Sequence, residues 1–235
     1  MNASVSAKAN ALLAALPEAA YRRLLPDLEV RTLRAGEALY RSSERLSFAY
    51  FPTNSVVALF YGADGAGASA KAWPVGREGM VGISLFLGVS KLDNQADVQI
   101  GGTAFRLPAA ALLAEFRQVG ALHHMLLRYV FALITQASQL GVCNAHHTVE
   151  QRLCRFLLRT FERVDVNEVD LTQQRIAQLL GVRRVSVTHA AIKLECDEII
   201  QYVRGRVRLL NRKKLEARSC GCAAVIARAF AAVTD

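Results

Sequence analysis

The sequence predicts an α+β protein in which an antiparallel β-barrel or jelly roll is followed by long helices and a final β-hairpin. Three observations carry this prediction: evenly spaced short apolar runs in the first half, a long apolar helical pattern in the middle, and two short helices separated by one glycine near the end. With 52% hydrophobic residues, the 235-residue chain can fill two cores of ordinary size.

The barrel is predicted from runs of β-branched and aromatic residues that recur between about Leu28 and Leu107, separated by turn residues. Asp64-Gly65 and Gly101-Gly102 are expected to be hairpin turns. In the segment VGREGMVGISLFLG, three glycines interrupt an apolar run, which indicates that the backbone there approaches another group closely. The runs are EVRTL, ALY, FAYF, SVVALFY, AKAWPV, ADVQI and TAFRL.

The helical middle begins with a short helix predicted from Ala109 to Arg117, followed after Gly120 by the long segment ALHHMLLRYVFALITQASQLGVC. Apolar residues at spacings of four and three form the heptad seam of a coiled coil and predict a homodimer. The alternative is a helix packed on the barrel of its own chain. Asn144 and Ala145 are expected to break this helix, with a hinge up to His147, before VEQRLCRFLLRTFERV forms another. The seam residues are Leu126, Val130, Leu133, Ala137 and Leu140.

The stretch from Leu171 to Leu194 predicts a helix-turn-helix of the DNA-reading kind. Thr172 is expected to cap the first helix with its hydroxyl, and Gly181 is expected in the turn because glycine tolerates positive φ. An ordinary pair of core helices would show a similar apolar pattern. The solvent face of the second helix favours DNA, because no acid occurs in the stretch and this face carries Arg183, Arg184, Ser186, Thr188 and His189.

The residues after the motif predict a basic hairpin, in which Tyr202 and Val203 lead to a tight turn at Arg204 and Gly205 before Arg206 and its neighbours alternate. Such a wing can lie along a phosphate backbone. Residues 171–218 hold 11 Lys and Arg against 4 Asp and Glu, so a surplus of seven of the chain's net +9 is concentrated there. Double-stranded DNA is the expected partner.

The order of these parts resembles the Crp/Fnr family of transcription regulators over nearly the whole chain. The motifs that carry the resemblance are FPTNSVV, VGREGMVG, CNAHHTVEQRL, LTQQRIAQLLGVRRVSVT and RGRVRLL. It implies a sensor barrel of the cyclic-nucleotide-binding type over residues 1–118, a dimerisation helix and hinge over 119–147, and a winged helix-turn-helix domain with a tail over 148–235. It also implies a sequence-specific homodimer that recruits or blocks RNA polymerase.

The resemblance assigns roles within the motif. Thr172 and Gln174 match backbone-contacting positions, and Arg184, Val185 and His189 match the principal base-reading positions. Members that read the common family operator usually carry Glu and Arg where this chain has Val185 and His189, so a different operator is expected. With the neighbouring polar residues, the predicted base readers are Arg183, Arg184, Val185, Thr188 and His189, and the predicted backbone contacts are Thr172, Gln174, Ser186, Arg204 and Arg206.

The effector cassette departs from the cyclic-nucleotide pattern implied by the resemblance. Glu78 and Gly79 match the start of the cassette, but Asn94 and Gln95 stand where an arginine normally grips the cyclic phosphate. Lys91 is the only cation between Arg77 and Arg106. The signal is therefore unidentified, or the regulator works without an effector, with a cyclic nucleotide as the alternative.

Other cofactors and classes are constrained by the residues present. The chain has no cysteine before Cys143, against an N-terminal iron–sulfur cluster, and Cys220 with Cys222 supply only two of the four ligands that a zinc site takes. Haem is the alternative that the histidines leave open, and their roles and those of the two cysteines are undetermined by the sequence. No cofactor and no metal are predicted. The histidines in question are His123, His124, His146 and His147.

A cupin-like metal enzyme is the rival from another class, but it needs histidines inside the barrel, and all 5 lie at or beyond His123. No catalytic motif is recognised, so the chain is expected not to be an enzyme. A barrel that binds another protein would coexist with DNA binding. The N-terminus lacks an apolar run long enough for a membrane and the basic flank of a signal, and the cysteines are odd in number, so a cytoplasmic protein without membrane contact is expected.

Overall fold

The computed structural model describes residues 6–61, 71–89 and 92–235. The first half contains two antiparallel sheets, one with the strand order β1-β7-β3 and the other with the order β2-β6-β4-β5. Two short helices, α1 (Ala11–Ala15) and α2 (Glu18–Leu24), precede them. The strands are β1 (Glu29–Leu33), β2 (Ala38–Tyr40), β3 (Phe48–Pro52), β4 (Val56–Tyr61), β5 (Lys71–Val75), β6 (Asn94–Ile100) and β7 (Gly102–Pro108).

Each of the seven predicted strands is present, but the prediction of a hairpin at Gly101-Gly102 is wrong. The strands that flank it belong to different sheets, so the chain turns a corner there. A Cβ at Gly102 would lie 2.6 Å from the side-chain oxygen of Asn54, which explains the glycine at this corner. Asp64-Gly65 lies outside the described residues, although β4 and β5 on either side of it do pair antiparallel.

Three helices follow the sheets: α3 (Ala109–Phe116), α4 (Ala121–His146) and α5 (Val149–Val164). The expected break at Asn144 and Ala145 is wrong, because both residues are helical. The helix ends instead at His147, whose extended backbone (φ −110°) precedes a capping box of Thr148 and Gln151. The capping box satisfies the first amides of α5, which is why the new helix starts there.

The C-terminal segment, expected to be a surface tail, forms α8 (Arg212–Arg218) and α9 (Cys222–Thr234) and joins the core. Helix α9 packs along α4: the rings of Phe230 and Tyr129 lie 6.0 Å apart, and Arg128 donates to the Val233 carbonyl at 3.1 Å. Burial of these apolar side chains supplies the main stabilisation of the long helix on this side.

Packing of α4 against the barrel and α9 of its own chain decides which apolar residues of α4 remain exposed. Leu126 and Leu133 of the predicted seam are 0% and 7% exposed and lie in the core of their own chain, while Val130 and Leu140 pack against that core and Ala137 is half-buried. Three of the exposed apolar residues on α4 lie one position after a seam residue, and the fourth, Val142, lies two positions after Leu140. This stripe consists of Leu127, Phe131, Ile134 and Val142.

Within the described ranges, α4 is long and apolar enough to cross a membrane, with 33% of its apolar window buried inside the fold, and α8 with α9 pass the same test only if a 106° bend is ignored. A core helix of a soluble protein has the same length and composition, so the finding is weak evidence of a span.

The C-terminal domain places two helices against a small sheet. Helices α6 (Gln173–Leu180) and α7 (Arg184–Cys196) are joined by the turn at Gly181, and β9 (Ile200–Val203) pairs with β10 (Arg206–Leu209) as predicted. A third strand, β8 (Glu168–Asp170), which was not predicted from the sequence, pairs with the other side of β10. This arrangement is a winged helix-turn-helix.

Candidate nucleic-acid interface and barrel cavity

The turn of the helix-turn-helix has the geometry that its residues predict. The Thr172 hydroxyl accepts from the Arg175 amide, which caps α6, and Gly181 adopts a left-handed conformation with φ 63°. Leu171 and Ile176 are both buried and close the hydrophobic staple, while Ala177 and Val187 fill the space between the two helices. These contacts fix α7 relative to α6.

The first turns of α7 present polar and cationic side chains to solvent. Arg183, Arg184 and His189 are exposed, and Val185 is 62% exposed, a large value for an apolar residue. Within the part of the chain that the structure describes, neither arginine forms an ion pair. The N-terminus of α7 also carries the positive end of the helix dipole, so this surface suits phosphate and base edges.

Two of the other predicted contact residues on the motif, Thr188 and Ser186, are less accessible for contact with DNA. Thr188 donates to the side-chain oxygen of Gln173 at 2.6 Å, and Ser186 is half-buried. Gln174 and Thr172 are exposed on the first turn of α6. The structure therefore leaves most of the predicted contact residues on the motif exposed, while Thr188 links α7 to α6.

The wing turn consists of Arg204 and Gly205, both with positive φ (49° and 82°), which is the pattern of a type I′ hairpin turn. Arg206 is bound by acids of β8: its Nε lies 2.7 Å from the Asp170 carboxylate and its Nη1 lies 3.7 Å from Glu168. Arg204 is exposed and has no ion pair among the residues described. Arg204 is thus better placed than Arg206 to contact a DNA phosphate.

The cassette contacts the C-terminal domain through an ion pair. The Glu78 carboxylate lies 2.7 Å from Nε of Arg163 on α5, and the Arg163 side chain is only 4% exposed. Burial alone would raise the pKa of Glu78, but Arg163 and Arg159 outweigh burial and hold this pKa below its ordinary value. A Cβ at Gly76 would lie 2.5 Å from the Arg163 side chain, so this glycine admits the arginine.

Gly79 admits a second side chain to the cassette. A Cβ there would lie 2.3 Å from the hydroxyl of Tyr129 on α4. This buried hydroxyl accepts from the Met80 amide and donates to the Met80 carbonyl, each at 3.0 Å. The glycine-rich segment therefore approaches α4 and α5 closely, as its sequence indicated. Gly79 leaves room for Tyr129 of α4, and Glu78 pairs with Arg163 of α5.

A cavity of about 190 Å³ lies between the barrel and α4. Its lining is mostly apolar and includes Trp73 and Leu133, and no cation is found among the described lining residues. Of the predicted cassette residues, Asn94 lines the cavity and accepts from the Tyr40 hydroxyl, whereas Gln95 donates to Asp97 and is not part of the lining. Lys91 lies outside the described residues.

Two buried polar atoms in the cavity lining lack hydrogen-bond partners in the described structure: Oγ of Ser84 and Oε1 of Gln136. Burial without a partner costs roughly 1 to 3 kcal/mol for each such atom. Ser84 and Gln136 therefore bring unused hydrogen-bonding capacity to the cavity lining.

The histidines weighed as haem ligands are distributed among other contacts. Nδ1 of His123 lies 3.1 Å from the Phe116 carbonyl, and the two rings stack; Nδ1 of His124 lies 3.0 Å from the Gly120 carbonyl. His146 is exposed, and His147 approaches Cys222. None of these four histidines lines the cavity.

The two sheets, the long helix and the C-terminal domain define a class: a winged helix-turn-helix domain joined by a long helix to a barrel, with a cavity between the barrel and this helix. Residues 151–218 match the model of the Crp-like helix-turn-helix domain. This segment is therefore similar to Crp-like helix-turn-helix domains, and the resemblance to Crp/Fnr regulators predicted from the sequence is confirmed for these residues. No curated protein sequence matches the chain.

Solved structures share the fold over most of the chain. A regulatory protein from Silicibacter pomeroyi, described as cAMP-binding, has 21% identity and a TM-score of 0.65, covering 90% of this chain and 95% of its own. A CRP-family transcriptional regulator from Thermus thermophilus has 18% identity and a TM-score of 0.64, covering 80% and 96%. FixK2 of Bradyrhizobium japonicum has 16% identity and a TM-score of 0.57, covering 82% and 98%. At sequence identities of 16 to 21%, the structural similarity establishes that this chain shares their fold.

Proposed function

We propose that this chain is a sequence-specific, DNA-binding transcriptional regulator of the Crp/Fnr type with a non-catalytic role. The observation that carries the proposal is the start of α7, where Arg183, Arg184, Val185 and His189 are exposed together at a helix N-terminus. Arginine reads guanine bidentately in the major groove, and valine offers an apolar contact to a thymine methyl. Base readout is assigned to these residues and Thr188.

Backbone contacts are assigned to Thr172, Gln174, Ser186 and the wing. Arg204 at the wing tip supplies the principal cation, and Arg206 contributes only when DNA competes with Asp170 for its guanidinium. Phosphate contacts of this kind add affinity without sequence information and weaken with salt.

The regulator is proposed to act as a homodimer through the exposed stripe on α4. The stripe residues Leu127, Phe131 and Ile134 are each about half exposed or more, and Phe131 is 70% exposed. They recur at spacings of four and three, so two copies of the helix can pack with the stripe between them. Pairing would place two recognition helices on successive half-sites, as regulators with one helix-turn-helix per chain require.

The barrel is proposed to bind a small, mostly apolar molecule that carries a hydrogen-bond donor for Gln136 and a polar group for Ser84. Among the described residues that line the cavity, none is a cation that could neutralise a cyclic phosphate. A cyclic nucleotide is therefore the second choice. The cavity is small compared with typical ligand sites of roughly 300 to 1,000 Å³.

A route from cavity to DNA runs through the cassette. Tyr129 lines the cavity and holds Met80, and Glu78 two residues earlier pairs with Arg163 of the DNA-binding domain. A second contact joins the same domains, since Arg175 of α6 donates to Gln99 of β6 at 2.7 Å. A ligand that displaces the cassette would bias the position of α5 and α6, which is the two-state element that allostery needs.

The proposed regulator role also implies a partner and a location. Dimers bound at promoters would contact RNA polymerase, and they would do so in the cytoplasm.

The test is to select genomic fragments bound by the purified protein and sequence them. A recurring twofold-symmetric motif supports a dimeric, sequence-specific reader, and random recovery refutes it. Isothermal titration with cyclic AMP is expected to give no saturable heat, and micromolar binding would refute the apolar ligand assignment.

A further inference from the structure

Three cysteines and one histidine meet where the long helix ends. Cys143 and His147 come from the last turn of α4, and Cys220 and Cys222 flank the start of α9. The Sγ atoms of Cys143 and Cys220 are 3.5 Å apart, and Sγ of Cys222 is 3.5 Å from Nδ1 of His147. All the ligand atoms of these four residues lie within 4.8 Å of one another.

From this juxtaposition we propose that Cys143, His147, Cys220 and Cys222 bind one tetrahedral metal ion, with Zn²⁺ as the preferred occupant. The sequence suggested only Cys220 and Cys222, too few for such a site, and the fold supplies the other two ligands. The proposal concerns ion binding alone and stands independently of the proposed DNA binding.

The separations of the pairs Cys143–Cys220 and Cys222–His147 agree with a single ion, and all the ligand atoms lie within 4.8 Å of one another. With Zn–S near 2.3 Å and Zn–N near 2.0 to 2.1 Å, a regular tetrahedron places two thiolates about 3.8 Å apart and a thiolate and an imidazole about 3.6 Å apart. The two observed separations of 3.5 Å require shifts of only a few tenths of an ångström. In a 4Fe–4S cluster each thiolate binds a different iron, which spreads the sulfur atoms farther apart.

The ligands also have the local structure that a site needs. Cys143 and His147 are four residues apart at the end of a helix, which places them on one face. The short Cys-Gly-Cys connection lets Cys220 and Cys222 approach from the other side, and all three thiols are buried. Thiolates and imidazole in a tetrahedral arrangement select zinc-like ions over magnesium or calcium.

Two neighbouring side chains support the site. Gln139 donates from Nε2 to Sγ of Cys222 at 3.1 Å, the outer-shell hydrogen bond that orients a metal-bound thiolate. Arg152 is buried with no partner for its Nε in the described structure, and its side chain lies near Cys143. Three thiolates, one neutral imidazole and Zn²⁺ carry a net charge of about −1, which an arginine can offset.

An ion there would clamp the boundary between the domains. His147 is the residue that ends α4, directly before the cap of α5, and the other ligands hold the α8–α9 connection. Metal binding to a site of this kind stabilises the folded state, so loss of the ion would loosen the hinge at His147.

The experiment uses the full chain, prepared without a polyhistidine tag in reducing buffer and without DNA. Metal content is measured by mass spectrometry, and chelated protein is titrated with Zn²⁺ and with Co²⁺. The expected result is about one Zn²⁺ per chain and, with Co²⁺, the visible absorption of a tetrahedral ion with a thiolate charge-transfer band. No stoichiometric metal, an iron–sulfur spectrum, or a Cys143–Cys220 disulfide under these conditions would overturn the proposal.

Variants sharpen the test. Cys222→Ser is expected to weaken Zn²⁺ binding by more than about 100-fold, and Gln139→Ala, which keeps every ligand, by about 10-fold or more. The matched controls are Cys196→Ser, an exposed thiol outside the cluster, and His146→Ala, next to the proposed ligand. If Cys222→Ser does not fold, the Gln139→Ala variant provides the test. Wild-type Zn²⁺ affinity in Gln139→Ala, or an equal loss of Zn²⁺ affinity in the control variants, would refute the assignment.

Discussion

Substitution of Glu78 by glutamine tests the coupling between the cassette and the DNA-binding domain. The change keeps the size of the side chain and removes its charge, so Arg163 remains buried, 4% exposed, without its counter-charge. Breaking a buried pair from one side costs about 3 to 5 kcal/mol. Because the Glu78 side chain keeps 16% exposure to water, we expect the lower end, about 3 kcal/mol.

The difference in stability between the wild type and Glu78→Gln should depend on pH. The pKa of folded Glu78 lies below its ordinary value of 4.5, so the stability from its ionisation is complete above pH 4.5 and is lost as the pH falls through the folded pKa. A protonated Glu78 resembles glutamine. The wild type and Glu78→Gln should therefore differ fully near neutral pH and converge in acid.

Thermal and denaturant unfolding of both proteins from neutral to acid pH measure this difference. A loss of about 3 kcal/mol corresponds to a fall in Tm of roughly 6 to 12 °C for a chain of this size. Glu216→Gln is the control, since its exposed carboxylate lies 3.9 Å from Arg212, and it should change stability by less than about 0.5 kcal/mol. Equal stability of Glu78→Gln and this control, or a difference that persists in acid, would refute the reasoning.

The remaining predictions concern DNA and the dimer. Arg184→Ala should lose about 1 to 3 kcal/mol on the selected operator and little on random DNA, measured by fluorescence anisotropy; equal losses on both would exclude base readout. Arg204→Ala should weaken binding to all sequences and lower the salt slope by about 1, whereas Arg206→Ala should do so less because its acids compete for it; the reverse order would contradict the wing geometry. Phe131→Asp should yield monomers by light scattering at micromolar concentration, while Val166→Asp, the same change at an exposed apolar site off the stripe, should not; a dimeric Phe131→Asp protein would exclude the stripe as the interface.

Local signals in the sequence were sufficient for much of the fold. Thr172 and Gly181 specify the ends of α6 within a few residues, so the motif could be predicted without knowing what packs on it. The strands follow from short-range alternation and turn residues. β8 was missed because its single buried residue, Val169, stands between two exposed acids and gives no apolar run.

Features that depend on distant partners could not be predicted in this way. Leu126 and Leu127 are adjacent and equally apolar, and only packing against distant parts of the chain buries the first and leaves the second exposed. Cys143 and Cys220 are 77 residues apart, so no local spacing brings them together. The corner at Gly101-Gly102 resembled a hairpin because sequence alone does not reveal that the flanking strands enter different sheets.

The uninterrupted course of α4 to His146 makes it a lever. Its 26 residues span about 39 Å at 1.5 Å per residue. A tilt of about 5° at the barrel end would move the far end by about 3 Å, comparable to the rise of one base pair of DNA, about 3.4 Å. In the proposed dimer, small rearrangements around a molecule bound in the cavity would therefore be large enough, after transmission along this helix, to decide whether the two recognition helices meet their half-sites.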